Sequence, residues 1–364
     1  MKNTFGNSVS YTLFGESHGE EIGIIIDGLA PGIEIDEEYI NLQLSRRRPN
    51  GKISTSRVEK DEYRIVSGVW DGKTTGTPIC ILIPNTSKKS GDYSSLATLP
   101  RPGHADFAAE CKYHGFQDYR GGGHFSGRLT APIVAAGAIA RSALMKKGIY
   151  IGTHIKSIAD QSDREFSEKE LKNDIISLSE SKFPVLNESA GDAMRAEAEK
   201  AALEGDSVGG ILECAVIGMP SGVGEPWFDS VESTLSHALF SIPAVKGVEF
   251  GAGFGFASKR GSEANDAFTT DGENVYTKTN NNGGINGGIT NGMPIIFRLA
   301  IKPTPSIFKE QETVNLDTME NAKLKIEGRH DPCIVHRAAP VVDAITAMVL
   351  CDMLSGRFGT DFLA

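Results

Sequence analysis

The chain has 364 residues, 40% of them hydrophobic and 23% charged, with a formal net charge of −10 at pH 7. That length can bury a large core, and the acidic balance argues against non-specific binding to nucleic acid or to an anionic membrane surface. The five cysteines are an odd, scattered set without a CxxC pair, the N-terminus lacks the apolar stretch of a signal peptide, and no apolar run reaches the length of about 18 that a transmembrane helix needs. These features predict reduced thiols in a cytoplasmic protein.

In chain order, the first strand signal is the β-branched run Ile22 to Asp27. Before it, Gly15-Glu16-Ser17-His18-Gly19 sets a carboxylate, a hydroxyl and an imidazole between two glycines, either as a polar hairpin turn or as part of a site. Asp36 is placed to cap a helix whose first turn carries Glu37 and Glu38 and whose end carries Arg46, Arg47 and Arg48 before Pro49. Three arginines in a row, followed by Lys52 and Arg57, exceed what a helix dipole requires and point to an anion site. Strands are expected over Tyr63 to Trp70 and Pro78 to Pro84. The joining Gly72-Lys73-Thr74 is not a Walker A tail, because position 67 is Ser67 rather than glycine. Residues 85–100 read as a long polar loop able to act as a flap.

The densest chemistry lies in residues 101–128, RPGHADFAAECKYHGFQDYRGGGHFSGR. Gly121, Gly122 and Gly123 allow positive φ and close backbone approach to a ligand. Arg120 and Arg128 bracket that turn, Ser126 offers a hydroxyl, and His104 can serve as an acid or base near neutral pH. Thr130 is placed to cap a core helix over Ala131 to Lys147, stopped by Gly148. Residues 155–190, rich in Ser, Glu and Lys, read as a variable surface region. A helix is expected over Ala190 to Glu204 and a strand over Gly210 to Gly218.

Gly251, Gly253 and Gly255 have GxGxG spacing in a strand-like setting, which does not make a Rossmann turn. Residues 280–292 form a glycine-rich loop leading into a strand over Met293 to Ile301. The Lys302-Pro303-Thr304-Pro305-Ser306 that follows can cradle a phosphate. Gly328-Arg329-His330-Asp331-Pro332-Cys333 and Arg337 precede a helix over Pro340 to Leu354, and the two arginines favour a site there. Cys111 and His114 have ligand-like spacing, but nothing nearby completes a metal site.

Seven of these motifs, GESHGEEIGIIIDGLAPG (15–32), SRRRP (45–49), RPGHAD (101–106), DYRGGG (118–123), GGITNG (287–292), KPTPS (302–306) and GRHDPC (328–333), together resemble the chorismate synthase family over nearly the full length. The resemblance implies an α+β fold, a β-α-β sandwich of antiparallel sheets around central helices, as a single domain over residues 1–364 that assembles as a homotetramer. It implies 1,4-anti elimination of phosphate from 5-enolpyruvylshikimate 3-phosphate to give chorismate, the last common step toward aromatic amino acids. The reaction uses reduced FMN without net redox change, with NADPH a source of electrons through the chain itself or through a separate reductase.

By the same resemblance, His18 assists phosphate departure with Ser17 beside it, and His104 protonates or holds the reduced flavin. Asp331 helps the flavin take the substrate hydrogen, and Ser126 joins the catalytic set. Arg47, Arg48, Arg57, Arg128 and Arg337 clamp the substrate. FMN contacts fall to His124, Phe125, Ser126, Pro243, Ala244, Gly287, Lys302, Pro303, Thr304, Pro305, Ser306 and Arg329. Many relatives read Arg-Ser-Ser-Ala-Arg where this chain has His124 to Arg128, so the contacts expected there are made by backbone. The rival readings are a flavin-dependent oxidoreductase with net electron transfer and a non-catalytic binder of phosphorylated metabolites.

Overall fold

A computed structural model describes residues 2–55, 60–86, 98–326 and 330–364. Two five-stranded antiparallel sheets enclose a layer of helices. The first sheet runs in the order Thr4–Phe5, Ser10–Gly15, Glu21–Asp27, Ile79–Pro84, Arg64–Ser67. The second runs Val245–Phe250, Ile295–Ile301, Gly210–Ile217, Tyr150–Ile158, Gln161–Ser162. In the first sheet Ile79, Ile81 and Ile83 alternate inward beside Ile22, Ile24 and Ile26, so one sheet face is a continuous aliphatic surface. This is the α+β sandwich that the resemblance implies.

The helix Thr130–Lys146 packs under that face, and the helix Val335–Phe358 packs between it and the second sheet. The second, and the first when counted from Gly127, are apolar and long enough to cross a membrane by length and composition alone, yet here they are the buried centre of the sandwich. Their small residues explain the close approach: a Cβ on Gly137 would overlap both Cα and Cβ of Ala344. Of the five cysteines, all free, Cys214, Cys333 and Cys351 are buried in this core.

Several local expectations change. Thr130 is not a cap; it lies inside the helix and its hydroxyl donates to the Gly127 carbonyl at 2.6 Å. The last long helix begins at Val335, five residues before Pro340, because a proline in the early turns leaves only one carbonyl without its usual donor. The expected strand over Tyr63 to Trp70 is split at Gly68, whose φ is +80°. Residues 155–158 are not surface but the end of a buried central strand, and the helix Leu171–Leu178 covers its outer face. Asp36 caps as expected, accepting from the Tyr39 amide at 2.8 Å. Most of the polar loop, residues 87–97, lies outside the described residues.

Candidate active site

A cavity of about 940 Å³ opens where both sheets and both long helices converge, at the upper end of the volumes usual for small-molecule sites. Its inner wall is aliphatic: Ile133 from one helix and Val341, Ile345, Met348 and Val349 from the other. Its polar wall carries Arg47, Arg128, Arg337, Lys246, Lys302, His104 and His237, and among the described residues Asp331 supplies the one carboxylate. A chain of net charge −10 has thus gathered cations at one place.

The arginine run divides by helical phase. Arg46 turns into the core, fully buried, and pairs with Asp343 at 2.9 Å, so its role is structural rather than anion binding. Arg47 turns to the cavity. Arg48, more exposed, donates to the Lys60 carbonyl and does not line the cavity. Asp61 holds the cluster together: Arg47 reaches its carboxylate at 2.6 Å, Arg128 bonds its other oxygen, and Arg48 Nε stands 3.8 Å away. Burial alone would raise the Asp61 carboxyl, but the Arg47 and Arg128 guanidiniums outweigh it and hold it below the ordinary carboxylate value. Arg128 is further fixed by Asn85 Oδ1 at 3.0 Å. Arg337 donates to Asp331 at 2.6 Å and to the Arg47 carbonyl at 2.9 Å, and Asp331 also accepts from the Thr55 amide at 2.8 Å.

The glycine turn brings the two histidines together. Ser17 and His18 occupy the hairpin between Ser10–Gly15 and Glu21–Asp27, yet both are buried, unlike a solvated turn. Ser17 Oγ lies 3.2 Å from His18 Nδ1 and donates to the Arg120 carbonyl at 3.2 Å. A Cβ on Gly121 would overlap the His18 ring, and one on Gly122 would lie 3.3 Å from His104 Cε1. Gly121, Gly122 and Gly123 all have positive φ. The missing side chains therefore admit two histidine rings, rather than a ligand alone, to the backbone. Gly121 and His104 line the cavity; His18 lies one backbone layer behind Gly121.

The remaining expected positions fall as follows. His124 donates from Nδ1 to the Gly15 carbonyl at 2.8 Å, so its side chain ties the glycine turn to the first hairpin. Phe125 packs edge-on against Tyr113, and Ser126 Oγ accepts from the Arg128 amide at 3.2 Å. His124, Phe125, Ser126, Pro243, Ala244, Lys302, Thr304, Pro305 and Ser306 all line the cavity. Pro303 is exposed and outside the lining, and Gly287 lies in the turn of the hairpin Ile285–Asn286 to Ile289–Thr290, also outside it. Arg57 and Arg329 lie outside the described residues.

Sequence reasoning missed Asp61, Asn85, Lys246 and His237. Asp61, Asn85 and His237 sit in no motif rich in other functional residues, and although Lys246 closely follows Pro243 and Ala244, only the fold carries it beside Lys302, through pairing of Val245 with Ile301. Burial pushes the Lys302 ammonium down, and the like charge of Lys246 adds to this. Among the described residues no group of His, Cys, Asp and Glu could hold a metal ion.

The family model for chorismate synthase matches residues 9–355. The chain is 49% identical to the chorismate synthase of Thermococcus gammatolerans over 352 residues, covering 97% of each chain. It is likewise 49% identical to that of Pyrococcus abyssi over 97% of each. A solved structure described as a crystal structure of chorismate synthase matches with a TM-score of 0.77 at 29% identity, covering 98% of this chain and 94% of the other. With that match across the sandwich, the cationic cavity and both histidine turns, the chain belongs to the chorismate synthase family.

Proposed function

We propose that this cavity seats 5-enolpyruvylshikimate 3-phosphate together with reduced FMN and eliminates phosphate in the 1,4-anti sense to give chorismate. Membership of the family makes the chain a carbon–oxygen lyase of the shikimate route to aromatic amino acids, and a flavin-dependent one. The observation that carries the finer reading is the convergence of Arg47, Arg128 and Arg337 on a cavity large enough for two small molecules.

The residues present fit a flavin nucleotide. Lys246 and Lys302 offer two ammonium groups without an acidic partner, and the buried Thr304 hydroxyl has no hydrogen-bond partner, among the described residues. Together they suit a phosphate monoester. The aliphatic wall from Ile133 to Val349 suits a flat aromatic ring. When bound, the reduced flavin supplies transient electron donation that is returned within the turnover, which is needed because the hydrogen lost is too weakly acidic for a simple base.

The chain's own residues do the rest. Arg47, Arg128 and Arg337 neutralise and orient the two carboxylates and the phosphate of the substrate. They are held in place by Asp61 and Asp331, so little reorganisation is required on binding. His18, against Gly121, is assigned to the charge that develops on the departing phosphate. His104, which lines the cavity, is assigned to exchange a proton there. Asp331, fixed by Arg337 and the Thr55 amide, is assigned to help take up the hydrogen that the substrate loses.

We also propose a homotetramer acting in the cytoplasm, with sedimentation of the 39.0 kDa chain as the check on assembly. NADPH is proposed as the distal electron source. The test of the reaction is anaerobic phosphate release from the proposed substrate. Pre-reduced FMN should support many turnovers per reduction with no further NADPH consumed, and oxidised FMN none. One turnover per reduced flavin would instead make the protein an oxidoreductase.

A further inference from the structure

His104 meets two opposed partners at a single nitrogen. Its Nδ1 lies 2.6 Å from Asp106 Oδ1, an acceptor, and 3.0 Å from Arg101 Nη2, an obligate donor. The Asp106 carboxylate is saturated. Oδ2 accepts from the Arg101 amide at 2.9 Å and Arg101 Nε at 2.8 Å, while Oδ1 accepts from Arg101 Nη2 at 2.8 Å. Burial would raise this carboxyl, but the bonds from Arg101 and His104 hold it well below the ordinary range, so it stays an anion. The opposite ring edge, Cε1 and Nε2, rests against Gly122, and no protein group bonds Nε2 among the described residues.

We propose that Asp106 is the positioning residue for His104. It fixes the proton on Nδ1 so that Nε2 meets the cavity as a proton acceptor, and Arg101 is the clamp that holds Asp106 in that role. The 2.6 Å contact selects the Nδ1–H form because an ionised carboxylate can only accept. Arg101 Nη2 offers the alternative: when Nε2 holds the proton, Nδ1 is free to accept from the guanidinium. A proton taken up at Nε2 instead gives an imidazolium that keeps its Nδ1–H on Asp106, and the ring returns to the Nδ1–H form without moving when Nε2 gives that proton back. Lys302 also reaches this segment, where its ammonium donates to the Gly103 carbonyl. It approaches from the end of the strand Ile295–Ile301 and leaves Nδ1 to Asp106 and Arg101.

The inference rests on the reading that His104 serves the reaction, and Asp106→Asn separates the two. In that variant the new amide cannot face Arg101 N and Nε, which are both donors. It must face Nδ1 and force the proton onto Nε2. Nitrogen NMR of histidine-labelled protein, with His104 assigned by its loss in His104→Gln, reads the tautomer without turnover. The native protein should show a protonated Nδ1, and Asp106→Asn a protonated Nε2. Turnover should fall about 10²–10⁴-fold with little change in substrate KM. A native spectrum with the proton on Nε2 would overturn the proposal without any variant. So would an Asp106→Asn protein that loses turnover while keeping the native tautomer, since Asp106 would then be only structural. Normal turnover in His104→Gln would instead sink the role of His104 itself.

Discussion

Asp61 shows how one residue can organise a site it never reaches into. Its φ is +52°, uncommon for a non-glycine, and its carboxylate is enclosed by Arg47, Arg48 and Arg128. Two of those guanidiniums border the cavity, so the anion spaces cations that would otherwise repel one another. Arg47→Ala removes one substrate contact and leaves Asp61 paired with Arg128. Substrate affinity should weaken by about 1.5–3 kcal/mol, the scale of a hydrogen bond to a charged group, as read by calorimetric titration. If a folded variant bound as tightly as the native protein, the role of Arg47 would be confined to holding Asp61. The sequence showed three arginines in a row, but it could not show which one points where. Successive residues on a helix turn by about 100°, so Arg46 enters the core while Arg47 faces the cavity.

Between elements, the crossing of Thr130–Lys146 with Val335–Phe358 sets the floor of the cavity. Gly137 lies in the middle of the first helix, where glycine costs about 1 kcal/mol relative to alanine by propensity. Gly137→Ala should still destabilise the protein, because the new methyl would overlap the Ala344 backbone rather than a flexible side-chain tip. The overpacking cost of about 1–3 kcal/mol exceeds the propensity gain, and it should appear as a lower midpoint in urea unfolding. A raised midpoint would mean that the helices can separate freely at this crossing. The same displacement would shift Val341 and Ile345, which wall the cavity, so flavin binding should weaken in parallel.

Across the whole molecule, buried ion pairs predict how stability responds to pH. Burial would raise Asp61, Asp106, Asp163 and Glu213, yet their cationic partners hold all four below their ordinary values. Each then contributes stability that is present above the unfolded-state value and is lost as pH falls toward the folded one. His154 carries the opposite sign. Burial would lower it, but Asp163 at 3.6 Å and Glu213 at 2.9 Å raise it further than burial lowers it. Its contribution is full below the ordinary histidine value and fades as pH rises through the raised one. The melting temperature should therefore be highest at about pH 5–6.5, with a steep fall below about pH 4 and a shallower one on the alkaline side. A melting temperature flat from pH 3 to 6 would show that these pairs contribute nothing net.

The sequence by itself determined the chemistry and much of the secondary structure. The β-branched run at Ile22 to Asp27, the Asp36 cap and the small-residue helix before Gly148 are local signals, and a chain folds locally by the sterics and hydrogen bonds of neighbouring residues. The motifs around His18, His104, Asp331 and Lys302 were likewise legible, because each concentrates polar groups and glycines within a few positions. Only the tertiary structure decided which groups meet. Val245–Phe250 pairs with Ile295–Ile301 and brings Lys246 to Lys302. The glycine turn packs His18 and His104 against successive residues. The polar-looking stretch from residue 155 begins inside a buried strand, where Glu213 and Asp163 compensate the charge of the adjoining His154 and the helix Leu171–Leu178 covers the outer face. Such contacts join residues tens to hundreds of positions apart, and the energy that selects them is shared across the core rather than written in any one segment.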